Sequence, residues 1–490
     1  MKGKLYVFGI GGTGSRVLKS LVMLSASGVR FDADAIVPIV VDPDFANADL
    51  TRTIELINTY SAIRKELSFN DGTSNTFFSM RFEQVVNDNR LALKDTKNKK
   101  FRDFIEYSSL SKENKAFASM LFSESNLEAD MEVGFKGNPN IGSVVLNQFT
   151  DSQDFLDFAA AFKTGDRIFI ISSIFGGTGA SGFPLLLKNL RSLDDKMPNF
   201  KSIQDAPIGA ITVLPYFKVK PDEASAIDSS TFIGKTKAAL RYYEKNVSGA
   251  KSSLNALYYV ADDRDNQYEN NEGGVEQQNN AHIVEFISAL AIEDFVAIPD
   301  DDSTLICDTD ENGRVYAPNA KFKEFGIEQD VQEVLFNNLA QSTKDIVCAP
   351  MTQFVLFAKY VKEHLNGAMI QPWAKDNNIT YAFLRASFAN NVRKFTDSYL
   401  TWLNEMADND RSFKPYKLSV SGSDLYSMVD GIKPDSIKAL WAFNKSGYDL
   451  FDAALNDRQT SLSKNYSNEQ KFVELFCIVS KLLVDKKYKF

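Results

Sequence analysis

The residues with the clearest capacity for chemistry are glycines, gathered in three short stretches. They are Gly9-Ile-Gly11-Gly12-Thr13-Gly14, then Gly137-Asn138-Pro139-Asn140-Ile141-Gly142, then Gly176-Gly177-Thr178-Gly179. The first and third each follow an apolar, β-branched run and precede a helical pattern, which is the signature of a strand, a tight turn and a helix N-terminus. Backbone without side chains lets several N–H groups converge there, and the positive end of the helix dipole adds to them, so an anion fits. Phosphate is the natural guest. A turn that uses glycine only for its positive-φ freedom explains the same residues.

The elements that must position these loops read off in order. Residues 4–10 form a buried strand and 15–24 a helix, a βα opening of nucleotide-binding type. A second strand, 35–41, ends in Asp42-Pro43-Asp44, which sets carboxylates at a strand's C-terminal end, where acidic groups often hold ribose hydroxyls; Asp42 also serves as a cap for the next helix. Residues 46–130 read as mostly helical and polar, with a solvated lysine-rich stretch at 94–100. Helical spacing over 143–163 follows the second loop, and the central strand, 168–174, precedes the third. Strands at 210–214 and 256–260, a helix at 235–245, an Asn/Gly/Glu-rich surface loop at 265–278 and a strongly apolar helix at 281–296 complete this half. Beyond Asp300-Asp301-Asp302, helical spacing dominates (328–365, 381–406, 435–457, 468–489), with one possible strand at 416–420. The expected architecture is α/β: a Rossmann-like parallel sheet over 1–280, a central helix at 281–300 and a mainly helical C-terminal region over 301–490.

Composition bounds the function. The chain has 490 residues, 44% hydrophobic and 24% charged, with a net charge of −9, so a general nucleic-acid-binding surface is disfavoured and protein partners are the expected macromolecules. Three scattered cysteines (Cys307, Cys348, Cys477) and two histidines (His282, His364) support neither a disulfide framework nor a zinc site. No run of about 18 apolar residues occurs, so a membrane span is not expected and a cytoplasmic location is. His282 and Asn280 are candidate base contacts, although an ordinary helix-face histidine is the plainer reading. The last helix carries Phe472, Leu475, Phe476, Val479, Leu482 and Leu483 on one side, a face for packing on the body or for a partner.

Taken together, the three loops resemble those of the tubulin/FtsZ superfamily. Gly9, Gly11, Gly12 and Gly14 match its first phosphate loop, with Arg16 where the family has asparagine. Residues 137–142 resemble its G-N-P-E-I-G loop, and 175–181 with Pro184 resemble its signature glycine loop, with Phe175, Ala180 and Ser181 departing from it. The resemblance covers roughly the first 300 residues and implies phosphate binding by Gly11, Gly12, Thr13, Gly14, Gly137, Asn138, Gly176, Gly177, Thr178 and Gly179, with Arg16 and Asp42 nearby. It also implies GTP or GDP as the ligand, with Mg2+, and self-assembly into oligomers or filaments with slow hydrolysis. Glu293, Asp294 and Asp300–Asp302 stand where the family has its acidic loop, without that loop's Asn-x-Asp pattern; a solvated acidic loop explains them equally. Two alternatives stay open. Val41-Asp42-Pro43-Asp44 followed by Leu50-Thr51-Arg52 resembles ThiF-like adenylating enzymes, which lack the second and third loops and carry zinc cysteines absent here. A non-hydrolysing nucleotide-binding scaffold is the other.

Overall fold

A computed structural model describes all residues except 1, 45, 70–72, 94–95, 97, 132–134, 136–137, 221–231, 264–266, 269–273, 277 and 328. Gly134, Gly137, Arg264 and most of 265–278 therefore lie outside the described residues. Runs such as LYVFGI and IVPIVV are apolar at every position because both faces of their sheet are covered, the pattern of buried parallel strands. Five mostly apolar strands and a short exposed one form one sheet: β1 (Leu5–Ile10), β2 (Ile36–Val41), β3 (Arg167–Ser173), β4 (Ile208–Val213), β5 (Ala256–Val260) and the exposed β6 (Lys321–Glu324). Every pairing is parallel and the order is β6-β5-β4-β3-β1-β2. The order reverses between β1 and β3, and in such sheets ligands bind outside the strand carboxyl ends at that switch point. The first and third glycine loops follow those two strands.

Each glycine stretch lies inside a helix as well as before it. The first helix, α1 (Gly11–Ser27), begins at the glycine itself, four residues earlier than its apolar spacing suggests. The second helix is α2 (Ala48–Lys65). The stretch expected to be helical over 143–163 splits into α3 (Pro139–Val145) and α4 (Gln153–Ala161). Asn138 caps α3 with Pro139 in its first turn, and Ser152 caps α4, so the chain restarts a helix rather than continuing one. The third loop opens α5 (Gly177–Arg191); α6 (Phe232–Asn246) and α7 (Ile283–Val296) follow. Buried on nearly all sides, α7 packs against α1, β4 and β5.

Residues 66–100 depart from the helical expectation. After α2 the chain turns back and runs beside β2, with bridges Ile36–Phe82 and Val40–Arg90 on either side of Pro38. An uncovered edge strand leaves a row of unpaired N–H and C=O groups, and this segment supplies partners for them: Ile36 donates to the Arg81 carbonyl, and Leu91 donates to that of Val40.

Beyond α7 the chain is mainly helical: α8 (Gln341–Glu363), α9 (Ser387–Ala407), α10 (Gly447–Arg458) and α11 (Asn468–Lys487). Irregular chain occupies 429–439, where helical spacing extended upstream of α10, and residues 416–420 form only a Tyr416–Val429 bridge. The apolar face of α11 is spent on α8 and α10. Asp452, 3% exposed, accepts from Tyr360 Oη, from Trp373 Nε1 (3.3 Å) and pairs with His364 Nε2 (2.8 Å), tying α10 to α8. Replacing it by Asn keeps the shape but removes the charge three donors share. Asp452→Asn is expected to lower stability by about 1–2 kcal/mol, read as a shift in the urea midpoint at unchanged m-value.

Candidate functional site

The helices α1 and α5 begin without side-chain help. Their N-cap residues, Ile10 and Gly176, make no side-chain cap and neither first turn holds an acidic residue. By contrast α2, which follows β2, is capped by Asn47 Oδ1 from the N–H groups of Asp49 and Leu50. The first N–H groups of α1 and α5 therefore retain capacity for an external acceptor, and both helices point these ends at the switch point.

The two loops touch. A β-carbon placed on Gly11 would stand 3.4 Å from Thr178 Cβ and 3.7 Å from the Gly179 nitrogen, and Gly11 itself sits at φ +72°. Close approach explains other glycines: a β-carbon on Gly14 would fall 2.4 Å from the Gly9 carbonyl carbon, and one on Gly179 2.6 Å from the Ser173 carbonyl oxygen. Gly12 is different. It is partly exposed, and its β-carbon would meet only Arg16 Nη1, at an ordinary 3.5 Å. Nothing in the fold demands glycine there, which leaves an open backbone surface beside Thr13, Gly14, Gly176, Gly177 and Thr178. The helix that follows the second loop reaches the same place, since a β-carbon on Gly142 of α3 would lie 2.2 Å from Ser181 Oγ of α5. Asn138, the cap of α3, is half-buried at its start, and Gly137 lies outside the described residues. Phe175 packs against Tyr216, Phe217 and Phe232, so it anchors the third loop from below.

Asp42, at the C-terminal end of β2, is 6% exposed, with Oδ1 accepting from the Asp44 N–H at 3.0 Å. Burial pushes its carboxyl up to about 7; the hydrogen bond from the Asp44 N–H opposes the rise, the Asp44 charge adds to it and Arg90 opposes it. A folded-state value above the unfolded one means the protonated form is favoured by folding, so this contribution is complete below about pH 4 and is lost as pH rises through 7. The ligand-free protein is expected to lose about 2 kcal/mol between pH 5 and 8 from this group, and Asp42→Asn to flatten that part of the slope in melts across the range. An unchanged slope in the variant would reject the assignment.

Arg16 is 3% exposed and faces a buried network. Its Nε bonds Glu285 Oε1 on α7, its Nη1 bonds Asp49 Oδ2 on α2 at 2.9 Å, and its Nη2 donates to Tyr216 Oη at 2.8 Å. From Asp49 the chain of charges continues to Arg52 (2.6 Å), Glu405 on α9 (3.0 Å) and Lys19 (2.7 Å). Six alternating charges thus join α1, α2, α7 and α9, and backbone N–H groups of Asn279, Ala281 and His282 complete the three carboxylates. Sequence spacing gave no sign of this network, because its bonded partners lie up to 386 residues apart.

His282 caps α7, its Nδ1 accepting from the Val284 N–H, and burial pulls it down to about 3, so it is a neutral structural residue here. Asn280 is exposed. The acidic candidates sit elsewhere: Asp294 is held by Tyr258 Oη (2.6 Å) and Lys323 (2.6 Å), and Asp300 pairs with Arg167 at the start of β3. Burial and neighbouring Asp294 raise Glu293 to about 7. Glu293 and Asp294 lie near the far end of α7, about 15 Å along the helix from its start, and Asp300 lies beyond that end. Among the described residues no cluster suited to a metal ion and no helix long and apolar enough to cross a membrane occurs.

No family model and no curated protein matches the sequence. Solved structures that the chain is similar to include CetZ2 of Haloferax volcanii in a GTPγS-bound protofilament (15% identity, 61% of each chain, TM-score 0.30), FtsZ of M. jannaschii (14% identity, 53% of this chain and 47% of that one, TM-score 0.26) and TubZ-Bt in a two-stranded filament (12% identity, 82% and 78%, TM-score 0.25). The chain spans about three-fifths of the CetZ2 length and about half of the FtsZ length.

Proposed function

We propose that this protein binds GTP or GDP at the switch point of its sheet, as a divergent protein of the tubulin/FtsZ type. The observation that carries the reading is the meeting of Gly11 with Thr178 and Gly179 at two helix N-termini that lack side-chain caps. A nucleoside triphosphate brings three to four negative charges to that surface. N–H groups of Gly11, Gly12, Thr13 and Gly14 and of Gly176, Gly177, Thr178 and Gly179 supply charge-assisted hydrogen bonds worth on the order of 1.5–3 kcal/mol each. Gly137 and Asn138 flank them, Asp42 addresses the ribose, and Arg16 acts as a positioning residue behind Gly12. Mg2+ accompanies the triphosphate as its counter-ion.

Assembly follows from where the acids sit. In one copy Glu293, Asp294 and Asp300 are a helix length from the glycine loops, so they reach a bound nucleotide only when a second copy stacks head to tail on the first. Hydrolysis in this reading is slow without assembly and faster with it, in a soluble cytoplasmic protein whose helical C-terminal region remains available to a protein partner. The deciding experiment is to denature the purified protein, identify the released nucleotide by chromatography, and then sediment fresh protein with GTP. Guanine nucleotide near one per chain with GTP-dependent pelleting supports the proposal. ATP–pyrophosphate exchange would replace it with adenylation, and nucleotide bound without pelleting or turnover would replace it with the scaffold reading.

A further inference from the structure

The chain enters α10 through a single 3-10 turn, Leu440–Ala442, which packs on that helix. In such a turn the side chains at i and i+3 eclipse, so Leu440 and Phe443 share a side while Ala442 is buried against the body. Leu440 is 97% exposed, the most of any large apolar side chain among the described residues, and Phe443 is 74% exposed. Trp441, between them, is partly buried beside Lys486 of α11, whose Nζ stands 5.2 Å from the ring centroid. Just upstream, the Asp435 N–H donates to the Lys487 carbonyl, which holds this stretch to the end of α11. The charge around the two exposed side chains is unbalanced. Residues 433–449 and 481–489 carry seven lysines against three aspartates, in a protein whose net charge is −9. Two of those aspartates are already matched, Asp435 by Lys489 (3.2 Å) and Asp485 by Lys481 (2.9 Å), and Asp449 sits in the first turn of α10. Lys438, Lys445 and Lys486 are exposed and make no ion pair among the described residues.

We infer that this turn docks on an anionic lipid surface, Leu440 and Phe443 entering the boundary between headgroups and acyl chains while the lysines meet the headgroup charge. Shape favours lipid over an acidic protein. A side chain as exposed as Leu440 projects from its surroundings, and a stable protein partner needs a complementary surface of about 800 Å² a side, whereas a lipid boundary closes around a single projecting residue. The contact is peripheral, since no helix among the described residues is long and apolar enough to cross a membrane. It is independent of the nucleotide proposal, because the turn belongs to none of the glycine loops.

The test uses the full chain and vesicles of phosphatidylcholine with or without phosphatidylserine, separated by flotation with no added nucleotide so that assembly does not contribute. Trp441 is a built-in reporter: Trp373 and Trp402 have no exposed surface, so a blue shift of intrinsic fluorescence on adding vesicles reads this turn. Binding to the phosphatidylserine vesicles with a blue shift is expected, at least about tenfold weaker in high salt and on pure phosphatidylcholine. Leu440→Ser with Phe443→Ser, and separately Lys438→Glu with Lys445→Glu, should each weaken it at least about tenfold at an unchanged urea midpoint, because all four side chains are exposed. No vesicle binding by the unaltered chain, or unchanged affinity in either double variant, would overturn the inference. Salt-sensitive binding of polyglutamate without vesicle binding would also overturn it, and would assign the lysines to an acidic protein instead.

Discussion

Arg16→Met is expected to destabilise the protein by about 3–5 kcal/mol, measured as the change in unfolding free energy in urea. Asp49 and Glu285 have no exposed side-chain surface, and among the described residues Arg16 is the one cation that touches both. Removing one partner of a buried pair leaves an uncompensated charge in a low-dielectric interior, which costs more than the pair contributed. Asp49 keeps Arg52 and Asn279, whereas Glu285 keeps only the Tyr216 hydroxyl and the His282 N–H among its described partners, so Glu285 bears most of the loss. Arg16→Lys should recover little, because one ammonium cannot span directions that Nε, Nη1 and Nη2 serve separately. Adding Glu285→Gln to Arg16→Met should restore part of the stability, since the amide removes the stranded charge. A loss below about 1 kcal/mol in Arg16→Met would show that the network is not a structural support of α1.

Gly12→Leu should do the opposite: leave the fold intact and remove nucleotide binding. The position has ordinary φ, and its β-carbon meets only Arg16 Nη1, at an ordinary van der Waals distance of 3.5 Å, so thermal stability should change by less than about 1 kcal/mol. An isobutyl group on the open surface between the two loops occupies the space where phosphate oxygens must approach the N–H groups. GTP affinity by calorimetry should fall at least about a thousandfold, or about 4 kcal/mol. Gly14→Val is the control, since its side chain would drive into the Gly9 backbone and compromise folding itself. Normal GTP affinity in a folded Gly12→Leu protein would remove the first loop from the site, whatever nucleotide the protein carries.

How much of this was legible beforehand follows from which interactions are local. The strands at 5–10, 36–41, 167–173, 208–213 and 256–260 could be read from the chain, because a strand buried on both faces must be apolar at every position. The helices α7, α8, α9 and α11 could be read from apolar spacing, and the three loops from glycine runs beside such elements. Local pattern misled where partners come from far away. Residues 81–91 fall in a stretch with polar, helix-compatible spacing but serve the free edge of β2, a need visible only once β2 is known to be last in the sheet. The sixth strand, Lys321–Glu324, is short and exposed on its outer side, so it lacks the apolar run that marks the others.

The sequence by itself determined a parallel sheet with glycine-lined helix starts, because backbone geometry and hydrophobic period act between neighbours. Only the tertiary structure decided what those glycines are for, one by one: Gly11 for its positive φ, Gly14 and Gly179 for close packing, Gly12 for nothing the fold requires. It also decided where Arg16 sits: its place in the motif suggests a ligand contact, and in the fold its guanidinium joins a buried charge chain from Lys19 to Glu285. The reason is physical. Whether a charged side chain meets ligand, solvent or an opposite charge depends on residues brought together across hundreds of positions, and no local pattern carries that information.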